Sequence, residues 1–140
     1  YYYFPCGKEE LGSASVTAAG KTVLKTLEKL EQETSTAPDF VRQYCTLLAD
    51  WIHLSGYRDG CPISTVLLEM SPASLPITEA GQKAFQSWKE VIIRVYRRDN
   101  LPEGQARLKA TGLMAAIQGA ILLARVEQSP EALEAVAGLA

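Results

Sequence analysis

One stretch constrains this chain more than any other: GLMAAIQGAILLARV, from Gly112 to Val126. Only Gln118 and Arg125 interrupt its apolar and small residues. Read as a helix, it is apolar nearly all round, and such a helix has to be covered on both sides. Glycine inside a helix costs about 1 kcal/mol relative to alanine. Gly112 and Gly119 therefore imply a reason, and close approach of another backbone is the usual one. Gly112, Ala116, Gly119 and Leu123 share a stripe, and Ala120 and Ala124 extend the small-residue surface. A chain of 140 residues forms one domain with one core. The second cover is either the same helix of another copy, in a two-fold homodimer, or the rest of the monomer around a central helix. The run is shorter than the ~20 apolar residues that span a bilayer, so no membrane partner is expected.

The other long segments carry the same helical period. From Lys8 to Glu33, Val16, Gly20, Val23, Leu27 and Leu30 recur at steps of three and four. Pro38 sits in the first turn of a second helix ending near Leu54, with Asp39 placed well against its dipole. A third, short helix is expected from Pro62 to about Ser71. A fourth starts near Thr78, read as its N-cap. The fifth runs from about Pro102 to Glu127, and Ser129-Pro130-Glu131 opens a sixth. No stretch alternates with period two for long enough to make a strand. The expected fold is all-α, with about six helices and short connections.

Composition narrows the function. Hydrophobic residues make up 47% and charged residues 21%, with a net charge of -2. This segment carries no basic nucleic-acid footprint of its own. Cys6, Cys45 and Cys61 are odd in number and widely spaced, which fits a reducing cytoplasm better than a disulfide framework. No phosphate-binding glycine loop, paired-carboxylate motif or nucleophile elbow occurs. His53 has no second ligand at metal spacing. Cys61, next to Pro62 at the expected start of a helix, is a candidate sensing thiol or a small residue that fits a tight turn. Enzymatic chemistry and a cofactor are therefore not expected.

A ligand pocket between helices fits the residues better. The second and fourth helices supply Phe40, Tyr44, Leu48, Trp51, Phe85, Trp88 and Ile92. Met70 and Met114 are adaptable wall residues. Gln118, alone in its apolar run, needs a hydrogen-bond partner if buried. For each aromatic taken singly, plain core packing is the favoured reading.

The first residues, YYYFPCGKEEL, add a different kind of information. Tyr1-Tyr2-Tyr3-Phe4 and Lys8-Glu9-Glu10-Leu11 resemble the end of the recognition helix and the start of the following helix in TetR-family transcriptional regulators. Pro5-Cys6-Gly7 looks like the longer turn of the LmrA/YxaF-like branch. GCPISTVLLEMSP, from Gly60 to Pro72, resembles that branch's Gly-Cys-Pro helix. Gln118-Gly119-Ala120 resembles the core of its last long helices.

The resemblance implies a C-terminal regulatory domain over residues 8–140, preceded at 1–7 by the remnant of a helix-turn-helix. It further implies operator DNA as a partner, with Tyr1, Tyr2 and Lys8 on phosphates. A small hydrophobic or aromatic effector would bind in the core, and a homodimer would form through the last two helices. A free-standing helical interaction module and a thiol sensor built on Cys61 are the alternatives.

Overall fold

A computed structural model describes residues 7–139, and among these the chain is six α-helices with no strand. They are α1 (Lys8–Glu33), α2 (Ala37–Leu54), α3 (Ser64–Met70), α4 (Leu75–Arg98), α5 (Glu103–Glu127) and α6 (Glu131–Gly138). Helix α4 is the hub, packing on α1, α5, α3 and α2, while α6 closes the far side against α2 and α5.

Local chemistry sets the boundaries. The Thr36 side chain caps α2 by accepting from the Asp39 backbone N–H, with Pro38 in the first turn. A second cap comes from a distance, because Asp99 Oδ2 accepts from the Ala37 N–H at 2.9 Å. Two expected starts were misplaced. Helix α3 begins at Ser64 rather than Pro62. Helix α4 begins at Leu75, because Ser74 and Pro76 supply the cap and the first-turn proline before Thr78 can. The Thr78 hydroxyl instead donates to Ser71 Oγ at 2.9 Å.

Helices α1 and α4 are locked along their lengths. A Cβ built at Gly20 would stand 2.9 Å from the Cβ of Ala84, and one at Gly12 would stand 2.7 Å from Ile77 Cδ1. At Gly20 glycine lets the two helices approach closer than a side chain would allow, whereas at Gly12 the end of the Ile77 side chain would have to shift. The Trp88 indole N–H donates to the Gly20 carbonyl at 2.9 Å. Arg94 forms a fork with Glu31, both bonds 2.9 Å, and that hydrogen bond raises the guanidinium pKa further. Arg98 Nη1 donates to the carbonyls of Glu31 and Thr34, at the open end of α1.

Helix α5 buries one face only. Ala106, Ala110, Leu113, Ile117, Ala120, Ile121 and Ala124 point into the core. The opposite face, Leu108, Gly112, Ala115, Ala116, Gly119, Leu122, Leu123 and Val126, is exposed. Ala120 therefore does not belong to the outward stripe. It follows Gly119 by one residue, about 100° around the helix, and is 3% exposed. Among the described residues, a Cβ at Gly112 or Gly119 would meet nothing within 4 Å, so the close backbone approach expected there is not made by any of them.

By length and composition, α5 is long and apolar enough to cross a membrane, because the helix extends well before Gly112. Its buried face is nonetheless an integral part of the helical core.

Candidate ligand-binding site

Two adjoining chambers open between the helices. The larger, about 680 Å³, lies between α3, α4 and α5, with the Gly60–Cys61 loop at one end. Leu67, Phe85, Ile121 and Leu122 give it apolar walls, and Ser64, Gln118 and Arg125 are among its polar groups. The smaller, about 280 Å³, is lined by residues including Tyr44, Trp88, Lys89, Ile92 and Met114. Phe85 and Gln118 line both, so they form the shared wall.

The walls are built from local packing. Leu67 seats in the notch at Gly81, where an added Cβ would stand 2.6 Å from Leu67 Cδ2. A side chain there would force the end of the Leu67 side chain to shift. Phe85 meets Trp88 edge-on, ring centroids 5.3 Å apart, a favoured aromatic geometry. Ser64 Oγ donates to Gln118 Oε1 at 2.8 Å, tying α3 to α5. Among the described residues nothing accepts from the Gln118 amide nitrogen or bonds the Tyr44 hydroxyl. Burial pushes the Tyr44 phenol well above its ordinary range, and the thiols of Cys61 and Cys45 add to the shift.

Of the residues expected to bind a ligand, Tyr44, Phe85, Trp88, Ile92, Met114 and Gln118 line these chambers. Phe40, Leu48, Trp51 and Met70 do not. Phe40 is fully buried core. Leu48, Trp51 and Met70 are half-buried against the core, and α2 turns much of its surface toward α6. Sequence reasoning missed Leu67, Ser64, Ile121 and Arg125. The available signal was Arg125 itself, the one charge in the run from Gly112 to Val126, placed one helical turn after Ile121.

The other candidates separate. Lys8 is exposed at the first turn of α1, beside Glu9 and Glu10. Tyr1 and Tyr2 lie outside the described residues. His53 Nδ1 is 3.2 Å from the Tyr57 hydroxyl at the end of α2. Cys45 and Cys61 are both free and buried. Cys61 stands in the loop three residues before α3, not directly at the helix N-terminus as expected. Burial raises the Cys45 thiol to about 11. No cluster of three metal-ligating side chains occurs among the described residues.

Comparisons with known proteins agree on one family. The family model described as "Transcriptional regulator LmrA/YxaF-like, C-terminal domain" matches residues 37–138. The uncharacterised HTH-type transcriptional regulator YxaF of Bacillus subtilis (strain 168) is 28% identical over 123 residues, covering 88% of this chain and 64% of that protein. The HTH-type transcriptional regulator LmrA of the same strain is 25% identical over 123 residues, covering 88% of this chain and 65% of the relative. An uncharacterised HTH-type regulator of Mycobacterium tuberculosis is 26% identical over 141 residues, 97% of this chain and 71% of its own length. The chain thus spans about two thirds of the length of the curated relatives it matches.

Proposed function

Because the chain belongs to the LmrA/YxaF-like transcriptional regulators, matching their C-terminal domain, we propose that it is the effector-binding and dimerisation part of a DNA-binding regulator, acting as a repressor in the cytoplasm. The carrying observation is the chamber between α3, α4 and α5, together with the clamp that joins its α4 wall to α1. A small, largely apolar effector wedged against Leu67 and Phe85 displaces α4. Through Trp88, Arg94 and Arg98, α1 moves with it. Helix α1 begins where the family resemblance places the DNA-binding head, so its displacement changes the spacing of two heads in a dimer. The effector shifts the equilibrium only by as much as it prefers the state that does not hold DNA. No cofactor or catalytic step is part of this reading.

The dimer in this proposal forms through α5 and α6. The outward stripe from Leu108 to Val126 is apolar, and Gly112 and Gly119 leave it low enough for a second helix to approach. Residues 1–7 are then the end of a helix-turn-helix, and Tyr1, Tyr2 and Lys8 steady a DNA phosphate without reading bases. The test is a mobility shift of the full-length gene product on DNA flanking its own gene. A sequence-specific complex with two chains per site supports the proposal. Binding indistinguishable from that to random DNA sinks it.

A further inference from the structure

The chambers carry charge of one sign. Among the described residues their lining includes Arg125 and Lys89 and no aspartate or glutamate. The chain as a whole has more acidic than basic residues, 16 against 14, so the bias belongs to the cavity and not to the composition.

Arg125 stands at one end of the larger chamber. A Cβ at Gly60 would lie 3.5 Å from its Nη1, so the guanidinium leans over the bare backbone of the Gly60–Cys61 loop. It has no ion-pair partner among the described residues. In the shared wall, Gln118 has its oxygen occupied by Ser64, which leaves its N–H pair to donate. Beyond it lies the Tyr44 hydroxyl, in a side chain only 8% exposed and with no partner among the described residues. Lys89 lines this second chamber. A ligand entering the cleft therefore meets apolar walls, two cations with no ion-pair partner among the described residues, and N–H and O–H donors with no acceptor among them. A bare cation would find no countercharge there, and a pure hydrocarbon would strand the donors.

We propose that the cavity selects organic anions: molecules with an apolar, ring-sized body between α3, α4 and α5 and a carboxylate held by Arg125, with Gln118 donating to an acceptor on the body. The guanidinium fork suits a carboxylate better than a point cation does. This rests on the effector-cavity reading and specifies the ligand class.

The test uses a matched pair of probes, 2-naphthoate and 2-naphthamide, titrated calorimetrically into the chain. Naphthoate is expected to bind about tenfold tighter, equivalent to ~1.4 kcal/mol. Arg125→Gln should bring the two within about twofold by weakening naphthoate alone; the position is exposed, and an unchanged Tm verifies the fold. Equal affinity for both probes, or a preference that survives R125Q, overturns the proposal. The effector-cavity reading then stands separately if the double variant Thr65→Trp/Gln82→Trp, which fills the chamber from α3 and α4, abolishes binding of both. If neither probe binds the wild-type chain, selection of aryl carboxylates is refuted, and the effector reading is judged by DNA release alone.

Discussion

Arg98 and Arg97 are neighbours on the last turn of α4, and replacing each by alanine should have very different consequences. Arg98 Nη1 donates to the Glu31 carbonyl at 2.6 Å and to the Thr34 carbonyl at 2.9 Å, and Nη2 donates to Thr34 Oγ1 at 3.1 Å. Glu31 and Thr34 lie at the C-terminal end of α1, where carbonyls lack helical partners and the dipole favours a cation. Hydrogen bonds to a charged group contribute roughly 1.5–3 kcal/mol each when well buried. Here Arg98 is largely exposed, and water replaces part of each bond once the guanidinium is gone. A total loss of about 1.5–2 kcal/mol is the reasonable sum. Among the described residues Arg97 forms one ion pair, with Glu103 at 3.4 Å, both side chains more than half exposed. Such a pair contributes about 0–1 kcal/mol.

The two substitutions remove the same side chain from the same helix end, so propensity cancels between them. Urea unfolding reads the difference. With m between about 1 and 3 kcal/mol/M, Arg98→Ala should lower the midpoint by roughly 0.5–1 M more than Arg97→Ala does. Arg98→Lys keeps the charge but loses the fork, so it should recover only part of the loss. Equal midpoints for R98A and R97A would refute the claim that Arg98 pins α1 to α4.

Trp88→Phe removes the indole donor to the Gly20 carbonyl and should cost about 1–2 kcal/mol, read by the same titration. Ala116→Glu puts a charge on the exposed α5 stripe; sedimentation velocity should show a dimer turned into a folded monomer with unchanged helicity. Alkaline stability should report Cys45. Its folded pKa is raised from 9.0 to about 11, so the unfolded thiol ionises first. The stability from keeping it neutral is whole below pH 9.0 and is lost as pH rises through 11, a fall of order 2 kcal/mol that Cys45→Ala should remove from the pH profile.

Much of the fold was legible because apolar spacing and proline position are local properties. Helix α1 has the bounds its pattern implied, from the lysine after Gly7 to the threonine cap beyond Glu33. The start of α4 was misread because Thr78-Glu79 and Ser74-Leu75-Pro76 both look like helix openings, and the earlier one forms. The outward stripe of α5 followed from steps of three and four, except that Ala120 and Ala124 face the core. The site was legible only in part. An apolar arc as wide as that of α2 does not say which aromatic meets which neighbour. Phe40 and Phe85 look alike in sequence, yet one is sealed in the core and the other forms a chamber wall. The notches at Gly20 and Gly81 depend on Ala84 and Leu67, partners that only the folded chain reveals.

The most direct test of the regulator account is release of DNA by a ligand in the α3–α4–α5 chamber. Fluorescence anisotropy of a labelled fragment flanking the gene, bound by the full-length protein, would be followed during titration with small aromatic compounds. The account predicts that at least one compound releases DNA from the wild type. The Thr65→Trp/Gln82→Trp variant should hold DNA equally well without compound and need at least about tenfold more for release, ~1.4 kcal/mol of lost coupling. Release at the same concentration from both proteins would contradict it.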